Sequence, residues 1–384
     1  MSLFSSANIQ ENSFRVLWRI DGAGISVMVV DTVSNVHYYD SQPLTVFAMD
    51  DRHMIDQLLH HTEMIVVKMI PSLMAFLPNI TDNVTIILGE PWAHSIRRHI
   101  TYKRKTPFKL TKSFINDLIS RDIKRIKKEY QDDYIEFIDP TYHDLSIAGH
   151  TSNDPWGKTV TDIRFDYVTG FSDIEIVSLL QQIIHEKMKV KLLDIVIDHY
   201  QNYLIRFWKR TNISDGLVID GSGFVTDLYI FKRNQLVQAG TLPMGFSMVK
   251  NELASYLGIY PKELESLLSL YQKKLLSDSV SDRIDKGLQD LFQSWEMDFQ
   301  VFCNHATEQG DILDQVVWGG NSQDVVLQFF MHQLSDNSLQ FPVVFGTSHV
   351  GFLHSAMLAS NLNIGTHLDV SASNTDQIII SGLE

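Results

Sequence analysis

A single cysteine, Cys303, in 384 residues leaves no internal disulfide and no multi-cysteine metal site. Such cysteine usage suits a reducing compartment. Fifteen histidines are present, but none falls into a His-Glu-x-x-His or related metal spacing. No run of eighteen apolar residues occurs, and MSLFSSANIQENSF lacks a basic stretch followed by an apolar core. Membrane spanning and secretion are therefore not expected, and the sequence reads as cytoplasmic. Positive charge is also short: a net charge of −14 argues against general affinity for nucleic acid.

What is there is a globular composition, 44% hydrophobic and 20% charged, in a chain longer than one ordinary core, so two or more lobes are expected. The scarce positive charge is concentrated. Between Arg97 and Lys128 twelve Lys or Arg stand against only Asp117 and Asp122, a basic segment on an acidic body. Part of it, SRDIKRIKKEY, alternates charge with Ile123 and Ile126 as a solvated helix face does. The same residues, Lys124, Arg125 and Lys127 above all, also make a docking surface for an acidic peptide or an anionic membrane.

Two stretches carry the chemistry. LVIDGSGFVTDLYIF, Leu217 to Phe231, is an apolar run that stops at Asp220, passes Gly221-Ser222-Gly223 and resumes, the pattern of a hairpin. WRIDGAGISVMVV, Trp18 to Val30, repeats it around Asp21-Gly22-Ala23-Gly24, and the two aspartates lie 199 positions apart. That spacing fits two halves of a duplicated molecule. Asp-Gly is a common hairpin turn that needs no ligand, but two facing Gly-rich turns also suit a polyphosphate, because glycine lets the backbone approach closely.

In chain order, the pattern predicts strands at FRVLWRI, ISVMVVD and around LTVFAM, with turns at Asp21-Gly22, Ser34-Asn35 and Ser41-Gln42-Pro43. A helix follows from Asp51 to Leu77, then a buried strand VTIILGE. From there to about residue 168 the reading is a small α+β insertion, its helix capped by Thr111. DIEIVSLLQQIIHEK reads as a helix, KLLDIVI as a strand and DHYQNYLIRFWKR as a helix. Beyond the second hairpin come a strand NQLVQAGTLPMG, a Gly turn at Gly245, three helices, and the strand QVVW opening through Gly319-Gly320 into a helix. FPVVFG and VGFLHSAMLAS close the fold. Phe292, Trp295, Phe299 and Cys303 read as core.

These features resemble the actin and Hsp70 superfamily of ATPases, and within it the bacterial branch containing FtsA-like cell-division and PilM-like pilus-assembly proteins. The matching residues are the two Asp-Gly hairpins, NDPWG before KTVTDIRFDYV, VVWGGNSQDVVLQFF and HVGFLHSAML. The resemblance implies an α/β, two-lobed fold of duplicated RNase H-like domains. Its parts would be the first lobe at 1–83 and 169–213, the insertion at 84–168, the second lobe at 214–367 and a tail at 368–384. It implies ATP with magnesium, the metal held through water by Asp21 and Asp220. Gly22, Gly24, Gly221, Ser222, Gly223 and Thr226 would wrap the phosphates, and Gly319 and Gly320 would approach the adenosine. It implies, further, an insertion that grips the cytoplasmic peptide of a membrane-associated division or pilus protein, with self-assembly into an oligomer or filament.

The sequence departs from that pattern in several places. Ala23 and Ser222 stand where the family has glycine, Phe224 and Val225 bring bulk to the second turn, and the helix Leu264-Glu265-Ser266-Leu267-Leu268 lacks the expected lysine. The chain ends in DQIIISGLE with no amphipathic basic face, which favours the PilM-like form. Two readings follow: a scaffold or adaptor with weak or lost ATPase activity, and an active ATPase or small-molecule kinase of the same fold. For the second, Asp227 is the one weak candidate for a general base.

Overall fold

The computed structural model describes residues 14–32, 34–44, 51–78, 83–130, 135–151, 154–211, 213–221, 223–306, 312–313, 315–319, 324–336 and 344–345. The chain opens with three antiparallel strands, β1 (Arg15–Ile20), β2 (Gly24–Val30) and β3 (Val36–Pro43). Helix α1 (Asp51–Phe76) lays Val66, Met69, Ile70 and Leu73 into the core at helical spacing, and β4 (Val84–Leu88) follows. Next come β5 (His94–Lys109), α2 (Lys112–Tyr130), β6 (Ile135–Ile147), β7 (His150–Thr151) and β8 (Thr159–Asp173). Helix α3 (Ile174–Met188), β9 (Ile195–His199) and α4 (Tyr200–Arg210) complete the first half.

The first sheet has the order β3-β2-β1-β4-β9, with β4 and β9 parallel to β1. Two expectations are corrected here. The third strand in chain order is VHYYDSQP, which the pattern did not mark; of the expected strand LTVFAM, residues 45–49 lie outside the described ones. Ser41-Gln42-Pro43 is strand, not turn: it pairs with Gly24–Ser26, and proline is tolerated because β3 is the sheet's edge. The insertion cannot begin at residue 84, because β4 pairs with β1 from Val16↔Val84 to Ile20↔Leu88; a separate four-stranded sheet, β5-β8-β6-β7, runs from His94 to Asp173. Thr111 caps α2 as expected, its hydroxyl accepting the Phe114 N–H at 3.1 Å. That helix buries Ile115, Leu118 and Ile119 against Val160, Ile163 and Phe165.

The second half comprises β10 (Gly216–Asp220), β11 (Thr226–Lys232), β12 (Gln235–Leu242), α5 (Phe246–Leu257), α6 (Pro261–Gln272) and α7 (Asp278–Ala306). It continues through β13 (Ile312–Leu313), β14 (Gln315–Trp318), α8 (Val325–Asp336) and β15 (Val344–Phe345). Its sheet order, β12-β11-β10-β14, repeats the first: two hairpins, then a strand parallel to the central one. A separate parallel pair joins β13 to β15. Phe292, Trp295, Phe299 and Cys303 of α7 are fully buried, as expected. The expected closing helix and the tail at 368–384 lie outside the described residues.

Helix α4 joins the lobes. Tyr203, Leu204, Phe207 and Trp208 share one buried cluster with Leu17 and Ile87 of the first sheet and Val218, Phe231 and Val317 of the second. A helix buried on nearly every side leaves little room for charge: Arg206 is half-buried, and Lys209 and Arg210 fall in the last turn. Trp208 stacks on Phe231 with ring centroids 4.4 Å apart. Trp208→Ala is therefore expected to lower the urea midpoint, with a stability loss of about 3–5 kcal/mol for an aromatic truncated in a core.

Candidate functional site: the cleft between two Asp-Gly turns

Both turns leave the carboxyl ends of central strands, where open α/β sheets place their ligands. Asp21 follows β1 directly. Its Oδ1 accepts the N–H groups of Ala23 (2.9 Å) and Gly24 (3.1 Å), and its other oxygen lies 3.3 Å from the Arg19 guanidinium, Arg19 being buried and Asp21 half-buried. The aspartate thus closes its own turn and is neutralised by a neighbour two residues back on the same strand face. Asp220 is the last residue of β10 and is also buried. Gly319, at the end of β14, lies against it: a Cβ there would stand 2.6 Å from the Asp220 carboxyl carbon. Gly320 and Ser222 are outside the described residues.

The glycines serve contacts within the protein. Gly22 donates its N–H to the Glu90 carbonyl at 2.7 Å, and a Cβ on Gly24 would stand 2.5 Å from the Gln42 carbonyl of β3. The two turns touch: Cβ atoms built on Gly22 and Gly223 would lie 3.0–3.1 Å from backbone atoms of the opposite turn. Phe224 crosses over and buries its ring in the first lobe's core cluster. Behind the second turn, α5 begins with its N–H groups already taken. Gly245, Phe246 and Ser247 donate to the carbonyls of Phe224, Gly221 and Gly223 at 2.6–3.0 Å, so the donors that a helix N-terminus offers to an anion are engaged. Thr226 is buried, its hydroxyl donating to the Met244 carbonyl (2.7 Å) and accepting from the Trp295 indole (3.1 Å).

What remains between the turns is a void of ≈ 20 Å³ bordered by Asp21, Glu90, Tyr200, Asp220 and Asp227. That is room for about one water, against roughly 300–1,000 Å³ for small-molecule sites. Its walls are acidic. Burial, then the Glu90 carboxylate, pushes the Asp227 carboxyl well above its ordinary range, and burial with the nearby Asp220 charge raises the Tyr200 phenol. Among the described residues no group of three or more His, Cys, Asp or Glu is placed to hold a metal. As arranged, the described residues do not fit a magnesium nucleotide: the void between the turns is small, the first turn's Ala23 and Gly24 donors and those opening α5 are used, and Asp21 already faces a cation. Glu90 and Tyr200 were missed by the sequence reading. Their signal was position, each following a strand parallel to β1.

A second feature lies on the insertion. Lys124, Arg125 and Lys127 are exposed along α2; Arg125 pairs with Asp122, and the Lys127 ammonium stands 5.4 Å over the Phe137 ring. Burial of Asp122 opposes its ionisation but is outweighed by hydrogen bonds from Arg98 and Tyr167, which lower its pKa. Between β5 and α2 runs a groove of ≈ 330 Å³ bordered by His99, Tyr102, Leu118, Arg121 and Arg125.

No family model matches the chain, and no curated protein does. Solved structures do. A PilM-PilN type IV pilus biogenesis complex matches with a TM-score of 0.54 at 12% identity, over 86% of this chain and 87% of that one. A Bacteroides thetaiotaomicron protein with actin-like ATPase fold and unknown function matches at 0.40 and 12% identity over 88% and 91%. The ethanolamine utilization protein EutJ of Carboxydothermus hydrogenoformans matches at 0.44 and 10% over 87% and 85%. The fold of this chain, two α/β lobes with an α+β insertion in the first, is thus similar to that of the PilM-PilN match.

The joint between insertion and first lobe gives a pH prediction. His199 is fully buried, its ring against Gly170 of β8 and its Nδ1 3.1 Å from the Ser95 hydroxyl of β5. Burial, helped by the Arg206 charge, lowers its pKa to about 3. A histidine depressed in the folded state contributes stability above its unfolded pKa of about 6.5 and loses it as pH falls toward the folded value. Stability is expected to drop by up to about 1.4 kcal/mol per pH unit between pH 6.5 and the acid limit from this group. In His199→Gln, urea titrations at pH 7 and pH 4.5 should show a smaller difference than in the wild type.

Proposed function

We propose that the protein is an actin-like scaffold with weak or lost ATPase activity, which binds an acidic cytoplasmic peptide of a membrane-associated pilus or division component through its insertion. The observation that carries this reading is the contact between the two turns, with Phe224 buried in the opposite lobe. A clamp closed by its own side chains has no need of a nucleotide to set its shape. The partner class is supported by the groove beside Arg121 and Arg125, whose guanidiniums suit bidentate recognition of carboxylates. It is supported also by the pilus complex named for the PilM-PilN match.

Calorimetry with ATP and magnesium should give no binding heat for the wild type. Heat that is abolished by Asp220→Ala would instead establish a live nucleotide site and favour the ATPase or kinase reading. For the insertion, charge reversal at Lys124, Arg125 and Lys127 together is expected to weaken an acidic peptide at least tenfold, with a shallower salt dependence; reversal at Lys124 and Lys127 alone, which keeps the Arg125–Asp122 pair, should weaken it in the same direction with the melting temperature unchanged. Unaltered affinity would remove the insertion from the binding surface.

A further inference from the structure

The loop from α3 into β9 departs from the strand KLLDIVI that the sequence suggests. Only Ile195–His199 are strand; Leu192–Asp194 form a 3₁₀ turn that lifts two leucines off the surface. Leu193 is 96% exposed, Leu192 49% and Val196 48%. Single exposed apolar residues need no explanation, but here three cluster within five positions. They continue into an open groove of ≈ 460 Å³ that Val196 shares with Ile174 and Phe137, with Glu136, Ser178 and Gln181 as its polar members. Exposed Lys187, Lys189 and Lys191 flank the leucines, and Lys127 stands over Phe137 at the groove's far side. The acidic residues of the loop are Glu186, which accepts from Gln182 at 2.8 Å, and half-buried Asp194.

We propose that this loop is a membrane contact: Leu192 and Leu193 enter the headgroup region of an anionic bilayer while Lys187, Lys189 and Lys191 meet lipid phosphates. The shape selects lipid over a protein partner. A leucine 96% exposed at the crown of a turn protrudes. A protruding side chain suits a surface that can be penetrated, whereas a protein partner would have to supply a matching pocket. The exposed flanking lysines are attracted to an anionic leaflet. No helix among the described residues is long and apolar enough to cross a membrane, so the contact is interfacial. It is independent of the peptide reading above.

The test uses the full chain with vesicles of phosphatidylcholine alone and with about one-third phosphatidylglycerol. Sedimentation is expected with the anionic vesicles only, weakened at least tenfold by Leu193→Asp or by reversing the three lysines. Neither change should move the melting temperature, because these side chains are exposed. Leu193→Cys, labelled with an environment-sensitive fluorophore, should shift its emission to the blue on anionic vesicles; the one native cysteine, Cys303, is fully buried and stays unlabelled. The proposal is overturned if the wild type stays in the supernatant, if Leu193→Asp binds as well as wild type, or if the label does not shift in bound protein. A lipid-free oligomer dissolved by Leu193→Asp would also overturn it, assigning the patch to a second copy.

Discussion

Phe224 belongs to the second lobe's turn but packs its ring among first-lobe residues, and most of the cleft's geometry follows from that one crossing. Burying a phenylalanine ring is worth about 1.5–3 kcal/mol, which is large beside the net stability of a domain. With the ring seated, Gly22 and Gly223 are brought to backbone contact, where any side chain would collide. Gly245 is then pressed on the Gly223 and Val225 carbonyls, which fixes the start of α5. Among the described residues, each glycine that looks like a nucleotide-binding residue has protein packed against it.

A clamp of two lobes changes state only as far as a ligand discriminates between the states. In a nucleotide-driven clamp the polyphosphate supplies contacts that neither turn can make alone. Here the protein supplies them: Phe224 bridges the lobes, Arg19 offsets the Asp21 charge, and the carbonyls of the second turn take the helix donors. The turns are thus held together in this structure by the protein's own contacts. On the scaffold reading proposed above, little differential affinity is left for a nucleotide to exploit.

Much of the fold was legible because its signals are local. Two Asp-Gly turns between β-branched runs announced both hairpins, and their recurrence announced the duplication. Thr111 marked the start of α2. What failed was read from apolar runs alone: VHYYDSQP went unmarked because an edge strand with mixed burial shows weak alternation. KLLDIVI likewise merged an exposed turn with a strand. At the site, the identities of Asp21 and Asp220 were readable but their surroundings were not. Arg19 was within reach, since residues two apart share a strand face. Phe224 was visible only as unwanted bulk, because its destination is set by residues some two hundred positions away.

The uneven charge follows from the division of labour between the parts. The lobes carry most of the acid, and some of it converges in the cleft, where Asp21, Glu90, Asp220 and Asp227 surround a space too small for a ligand to neutralise them. Such a centre repels free polyphosphate, so the cleft's electrostatics and its sterics act in the same direction. The basic residues are placed instead on α2 and on the turn before β9, on either side of the joint where His199 packs against Gly170. Cations at the rim raise the encounter rate with acidic partners, and a rigid two-lobed body behind them keeps the insertion from losing conformational entropy when it binds. On the proposed reading, closing the cleft serves recognition at the insertion: rigidity that would cripple a nucleotide switch is an advantage in a platform.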